Sequence, residues 1–190
     1  MGSTGKKPFS GDIDVAVDAE LTKKDDLYNS LLSWAASQPG APKDWVRKSG
    51  ISVHLKTPIK GNPSNGYAQT DFMFYNDLPF AMWMGNYDPN TKFKNADRII
   101  LMNSIAKAQG FKLGPETGLI TRDTGKFITK DPDEIAQIFL GSNSSAADLK
   151  TVESIMRALQ KDPDMAVKTA DARDNFASRG LDLDSVSENL

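Results

Sequence analysis

The chain predicts an α+β fold, a mixed sheet with flanking helices followed by a small α/β second lobe. Two observations carry this. Over residues 12–74 a helix crosses between strand-like runs and a hairpin follows, the order of a small mixed sheet. After Asn76-Asp77-Leu78-Pro79 the pattern changes to a short apolar run, a strong helix, short strands and another helix. With 190 residues the chain is long enough to bury a core. Three segments are expected: a first domain over 1–77, a second lobe over 78–141 and a partly disordered helical extension over 142–190.

Taken in order, a glycine-rich loop over 2–11 runs into a strand over 12–17, Asp12-Ile13-Asp14-Val15-Ala16-Val17, whose β-branched apolar residues favour extended backbone. Residues 22–37 read as a helix, with Thr22 as N-cap, apolar spacing through Leu27, Leu31, Leu32 and Trp34, and a stop at Gln38-Pro39-Gly40. Strands over 51–55 and 67–74 flank a turn-rich connector. Phe80-Ala81-Met82-Trp83-Met84 is a short apolar run ending at Gly85-Asn86. A helix over 96–109 carries Ile99, Ile100, Met102, Ile105 and Ala106 and ends at Gly110. Short strands at 112–113 and 118–121 precede a turn at Asp123-Thr124-Gly125. Asp131-Pro132-Asp133-Glu134 opens a further helix, with proline at its first position and acids facing the helix dipole. Residues 148–160 are amphipathic, and the last 25 or so are polar, acidic and poor in apolar anchors, which predicts partial order at most.

Composition excludes some chemistry. The chain has no cysteine, so disulfides, thiolate zinc sites and cysteine nucleophiles are ruled out, and a reducing, cytoplasmic setting is expected. No apolar run approaches the roughly 20 residues of a membrane helix, so no membrane partner is expected. The net charge of −2 is little help for nucleic-acid binding, but it is uneven. Residues 161–190 hold seven acids and four bases, leaving a body of 18 acids and 19 bases with basic clusters at Lys6-Lys7, at Lys43 with Arg47-Lys48, and at Lys92, Lys94 and Arg98.

The candidate site is a set of acids. Asp12 and Asp14 stand two residues apart on one strand, so both leave the same face. Asp71, in Gln69-Thr70-Asp71-Phe72-Met73-Phe74, lies on a second strand, and pairing of the two strands would bring it to the same place. Convergent carboxylates holding hard divalent cations are a usual device for moving phosphoryl or nucleotidyl groups. His54, the one histidine, is expected at the solvent or the sheet edge, without a metal or general-base role.

Gly2-Ser3 followed by Gly11-Asp12-Ile13-Asp14 and the later Asp71 resembles the signature of the nucleotidyltransferase fold of DNA polymerase beta. The segment Leu78-Pro79-Phe80-Ala81-Met82-Trp83-Met84-Gly85-Asn86 is similar to the family X polymerase segment that ends in Tyr-Phe-Thr-Gly-Ser. Leu101 through Gly110-Phe111-Lys112-Leu113, Gly118-Leu119 and Asp131 through Gly141 resemble the elements that follow it, so the likeness covers about residues 2–141. Nothing resembles the lyase domain, and the likeness is to reduced viral members, for which the setting would be the host cytoplasm.

The resemblance implies two Mg²⁺ ions, with Mn²⁺ as a substitute, held by Asp12, Asp14 and Asp71 as catalytic and metal residues. It implies nucleotide contacts from Gly2, Ser3, Lys6, Lys7, Gly11, Trp83, Gly85 and Asn86, and DNA contacts from Asn103 and Lys107. Asn103 stands where the family often has an arginine reaching the template, Met82 replaces a family tyrosine beside Trp83, and Lys6 or Lys7 replaces arginine near the triphosphate. Lysine brings charge there without arginine's bidentate fork. The implied activity is magnesium-dependent addition of dNTPs to a DNA primer or gap in DNA repair, by a monomer open to an accessory protein. Transfer to RNA, protein or a small molecule, and a catalytically silent nucleotide-binding module, are the alternatives.

Overall fold

The computed structural model describes residues 11–40, 42, 44–86 and 88–189. The chain is α+β and divides into two compact units, Met1–Met82 and Trp83–Leu190.

In the first unit, β1 (Asp12–Asp18), α1 (Lys24–Ala36), β2 (Val46–Ser49), β3 (Ser52–Pro58) and β4 (Tyr67–Tyr75) build a four-stranded sheet in the order β1-β4-β3-β2. β1 runs parallel to β4, and the other pairs are antiparallel. The passage through α1 and the β2–β3 hairpin makes that parallel pair possible, because parallel neighbours need a crossover connection. One face of the sheet packs on α1: Val53, Leu55, Val46 and Phe74 are buried with Trp45 and Ala35, and Val17, Leu27, Tyr28, Leu31, Leu32 and Phe72 close around them. Lys48 ties β2 to α1 through Asp25 at 2.7 Å.

β2 lies outside the strands predicted from the sequence, where Arg47-Lys48 counts only as a basic cluster. Four residues with one buried side chain give a weak alternation signal. The hairpin turns on Gly50 at φ +53, so Ile51 is a turn residue and β3 starts at Ser52. α1 likewise begins after Lys23 rather than at Thr22.

The apolar run at 80–84 is part of a helix, α2 (Leu78–Met84), whose start is held by Asp77 Oδ1 accepting from the Phe80 amide at 3.0 Å. The second unit is built on α3 (Asn95–Ala108), with Leu101, Met102, Ile105 and Ala106 fully buried. Beside it stands an antiparallel sheet of β5 (Phe111–Gly114), β6 (Gly118–Thr121) and β7 (Phe127–Thr129), the last added beyond the predicted turn. Gly118 turns at φ +67, and a Cβ there would lie 2.7 Å from the Thr129 carbonyl oxygen, so only glycine fits. α4 (Pro132–Leu140) follows, capped by Asp131 accepting from the Asp133 amide at 2.8 Å. The amphipathic stretch at 148–160 is interrupted: the Thr151 hydroxyl caps the Ser154 amide at 3.0 Å and restarts the chain as α5 (Val152–Leu159).

The C-terminal stretch corrects the expectation of partial order. α6 (Met165–Ser178) lies along α3, burying Thr169, Ala172 and Phe176, and Phe176 stacks on Phe93 at 5.8 Å. Polar side chains fix it, which is why an apolar count misses it. The Ser104 hydroxyl donates to the Lys168 carbonyl at 2.8 Å, and Lys168 Nζ reaches the Phe139 carbonyl at 2.8 Å and Asp162 at 2.7 Å. The segment 142–189 therefore shares the core of the second unit instead of extending from it. Phe176→Ala is expected to destabilise that unit by about 3–5 kcal/mol, the range for emptying a buried aromatic site. The midpoint of urea unfolding, followed by far-ultraviolet circular dichroism, checks it.

Candidate functional site

Strand register assembles the site. In the parallel pair Asp14 stands opposite Asp71 and Asp12 opposite Gln69; in the neighbouring antiparallel pair His54 stands opposite Asp71. Alternation along each strand turns Val17, Phe72, Val53 and Leu55 toward α1, and sends Asp12, Asp14, Asp71, Gln69 and His54 to the other face. One carboxylate oxygen from each of Asp12, Asp14 and Asp71 lies within 4.8 Å of the other two. The two acids of one strand and the single acid of another thus converge.

Asp71 is the most constrained of the three. Its Oδ1 is 2.6 Å from His54 Nδ1, and Gln69 Nε2 donates to both of its oxygens at 2.9 and 3.0 Å. Its side chain is 15% exposed, so the half-buried bond to His54 is shielded from competing water while the Gln69 bonds stay exposed. An ionised carboxylate only accepts, which places the imidazole proton on Nδ1. Asp14 is half-buried, and its carboxyl is raised above the ordinary carboxylate value of 3.8, first by burial and then by the charges of Asp12 and Asp71.

His54 corrects the sequence expectation. β3 is an inner strand, between β4 and β2, so the imidazole stands on the acid face at the site and not at the sheet edge. Its two-residue alternation with Val53 and Leu55 is readable in the chain; its partner is not, because register sets that. Gln69, two residues before Asp71 and so on the same face, could have been found by the same alternation. Next to these residues a groove of about 410 Å³ is lined by Arg47, His54, Lys56, Tyr67 and Gln69 among others. Arg47 is the register partner of His54, and Lys56 Nζ lies 4.4 Å over the Tyr67 ring.

The other predicted residues fall in several places. Gly2, Ser3, Lys6 and Lys7 lie outside the described residues. Gly11 is an exposed bend directly before β1. Trp83, Gly85 and Asn86 belong to the second unit, where the half-buried Trp83 ring carries the Arg98 guanidinium 5.0 Å above it. Asn103 links α3 to β5: its amide donates to the Ile99 carbonyl at 3.2 Å and its oxygen accepts from the Leu113 amide at 3.2 Å. Lys107 is ion-paired with Asp171 of α6. The structure thereby gives Asn103 and Lys107 bonds within the second unit. The open groove they line, about 580 Å³ with Arg122, also carries Asp171 and Asp174, acids that offset its bases.

No protein-family model matches the chain, and no curated protein or solved structure matches it. Among the described residues no helix is long and apolar enough to cross a membrane.

Burial and the charges of Asp12 and Asp71 oppose ionisation of Asp14, and Asn at position 14 removes that charge while keeping the shape. In metal-free buffer Asp14→Asn should leave the Tm equal or raise it by a few degrees. Because the folded state raises the Asp14 pKa, it holds that proton more readily than the unfolded chain, and the strain is present only above the raised pKa. The Tm advantage of the variant should therefore be largest at neutral pH and shrink as the pH falls through that value. Differential scanning calorimetry of both proteins across the acid range reads this.

Proposed function

We propose that the chain is a metal-dependent nucleotidyltransferase of the polymerase beta-like fold, adding deoxynucleotides to the 3′-hydroxyl of a DNA primer with release of pyrophosphate. The observation that carries the reading is the convergence of Asp12, Asp14 and Asp71, one oxygen of each within 4.8 Å of the others, on two paired strands. The Gly11-Asp12-Ile13-Asp14 motif and its resemblance to the polymerase signature support the same reading.

The donor set fits hard cations. Three carboxylates offer oxygen alone, the choice of Mg²⁺ and Mn²⁺, and the one histidine nearby is spent on Asp71 rather than turned toward a softer metal. When bound, such ions would neutralise the triphosphate and lower the pKa of the attacking hydroxyl. Asp12 and Asp14 would hold the nucleotide side and Asp71 the acceptor side. His54 and Gln69 keep the Asp71 carboxylate in one orientation, so little reorganisation is needed when the acceptor arrives. The 3′-oxygen bonds to the α-phosphorus, the bond to the β-phosphate oxygen breaks, and the hydroxyl proton leaves to solvent. Arg47 and Lys56, in the groove that begins at His54 and Gln69, would face acceptor phosphates.

Labelled primers supplied as templated, gapped and single-stranded ends, with dNTPs and Mg²⁺, test the proposal. Extension on at least one is expected, with Asp14→Asn lowering the rate by about 10³-fold while the protein stays folded. No product on any of them retires DNA as acceptor, and product masses from RNA, protein and small-molecule acceptors decide the wider reading. His54→Leu should keep the fold and lose about 10- to 100-fold in turnover or metal affinity, as for other groups that orient a ligand. Mn²⁺ titration by electron paramagnetic resonance separates the two effects.

A further inference from the structure

Arg98 is a buried cation without a buried anion. It is 2% exposed, at the start of α3. Nε donates to the Leu149 carbonyl at 2.6 Å, and Nη1 to the Met84 and Trp83 carbonyls at 3.1 and 3.3 Å and to Asn95 Oδ1 at 3.1 Å. Every one of these acceptors is neutral. Nη2 is buried and has no hydrogen-bond partner among the described residues. The nearest acid in sequence, Asp97, is committed to Arg179 at 2.7 Å. Burial accordingly pulls the guanidinium down to about 10.

The guanidinium lines a small cavity whose inner space is about 10 Å³, the room of one water-sized group. Lys94 and Asn95, the N-terminus of α3, and Thr151 and Val152, the N-terminus of α5, line it too, with Lys150. Two helix starts and the guanidinium therefore meet at one void, with Lys94 and Lys150 also on its lining and the Glu153 carboxylate beyond Thr91, which it holds at 2.6 Å. The acid on its wall, Asp88, is already paired with Lys150 at 3.0 Å and accepts from the Asn90 amide at 2.9 Å.

We propose that this cavity is an anion site, seating one small anionic atom against Arg98 Nη2. That atom is either a free halide or one oxygen of an inorganic oxyanion whose remainder stays at the mouth with Lys94 and Lys150. The site lies within the second unit and is independent of the carboxylate cluster and of the proposed transfer reaction. Its occupant would brace the end of α2, the starts of α3 and α5, and the turn at Leu149, all of which Arg98 or the cavity touches.

Thermal unfolding of the full chain at constant ionic strength tests it, exchanging sodium gluconate, too bulky to enter, for chloride, and separately for phosphate. A saturable rise in Tm with chloride, matched by broadening of the ³⁵Cl resonance, supports a free halide; a rise with phosphate alone supports the oxyanion. Lys150→Gln, which removes one cation and exposes Asp88, should raise the half-saturating concentration about fivefold, the effect of roughly 1 kcal/mol. Arg98→Gln should abolish the response where it folds, and Lys150→Gln keeps the test decisive where it does not. Equal Tm in gluconate, chloride and phosphate, with no ³⁵Cl broadening, overturns the proposal and leaves the cavity to a water molecule.

Discussion

Parallel pairing of β1 with β4 is the constraint on which the first unit turns. It sets Asp14 against Asp71, and the same register fills the opposite face with Val17, Phe72 and Phe74. The apolar face, packed on α1, supplies the stabilisation; the acid face takes on electrostatic repulsion in return. A shift of one residue in either strand would bury an aspartate under α1 and send a phenylalanine to the acid face, so the core enforces the geometry of the site.

The three acids are not equivalent in this arrangement. Asp71 is locked by His54 and Gln69 from its own and the adjacent strand, Asp14 is half-buried between two like charges, and Asp12 is exposed at the strand's start. The three thus differ in setting: one is held by two hydrogen-bonding neighbours, one is opposed by like charges and one is exposed. Next to them Arg47 and Lys56 line a groove together with Asp44 and Tyr67.

In the second unit polar side chains carry much of the tertiary specification. Arg98 gathers the carbonyls of Trp83, Met84 and Leu149, Ser104 and Lys168 fasten α6 to α3 and α4, and Asn103 joins α3 to β5. These residues look like surface in the chain, and Lys92, Lys94 and Arg98 read as one basic cluster. Yet Lys94 is exposed while Arg98 is among the most buried residues. Hydropathy does not distinguish them; position on α3 relative to Trp83, Met84 and Leu149 does.

Local signals alone determined several of the elements and their stops. Apolar spacing and the Gly110 terminus mark α3, Asp131-Pro132 marks the start of α4, and the β-branched alternation of β1 and the aromatic-rich run of β4 mark those strands, because these depend on neighbours within a few residues. That Asp12 and Asp14 share a face was equally local. What the chain could not reveal is whichever depends on partners far along it: the four-residue β2, the burial of α6, the register that sets Asp71 opposite Asp14, and the meeting of His54 with Asp71. Strand register and helix docking are settled by the whole core at once, and no window of sequence contains that sum.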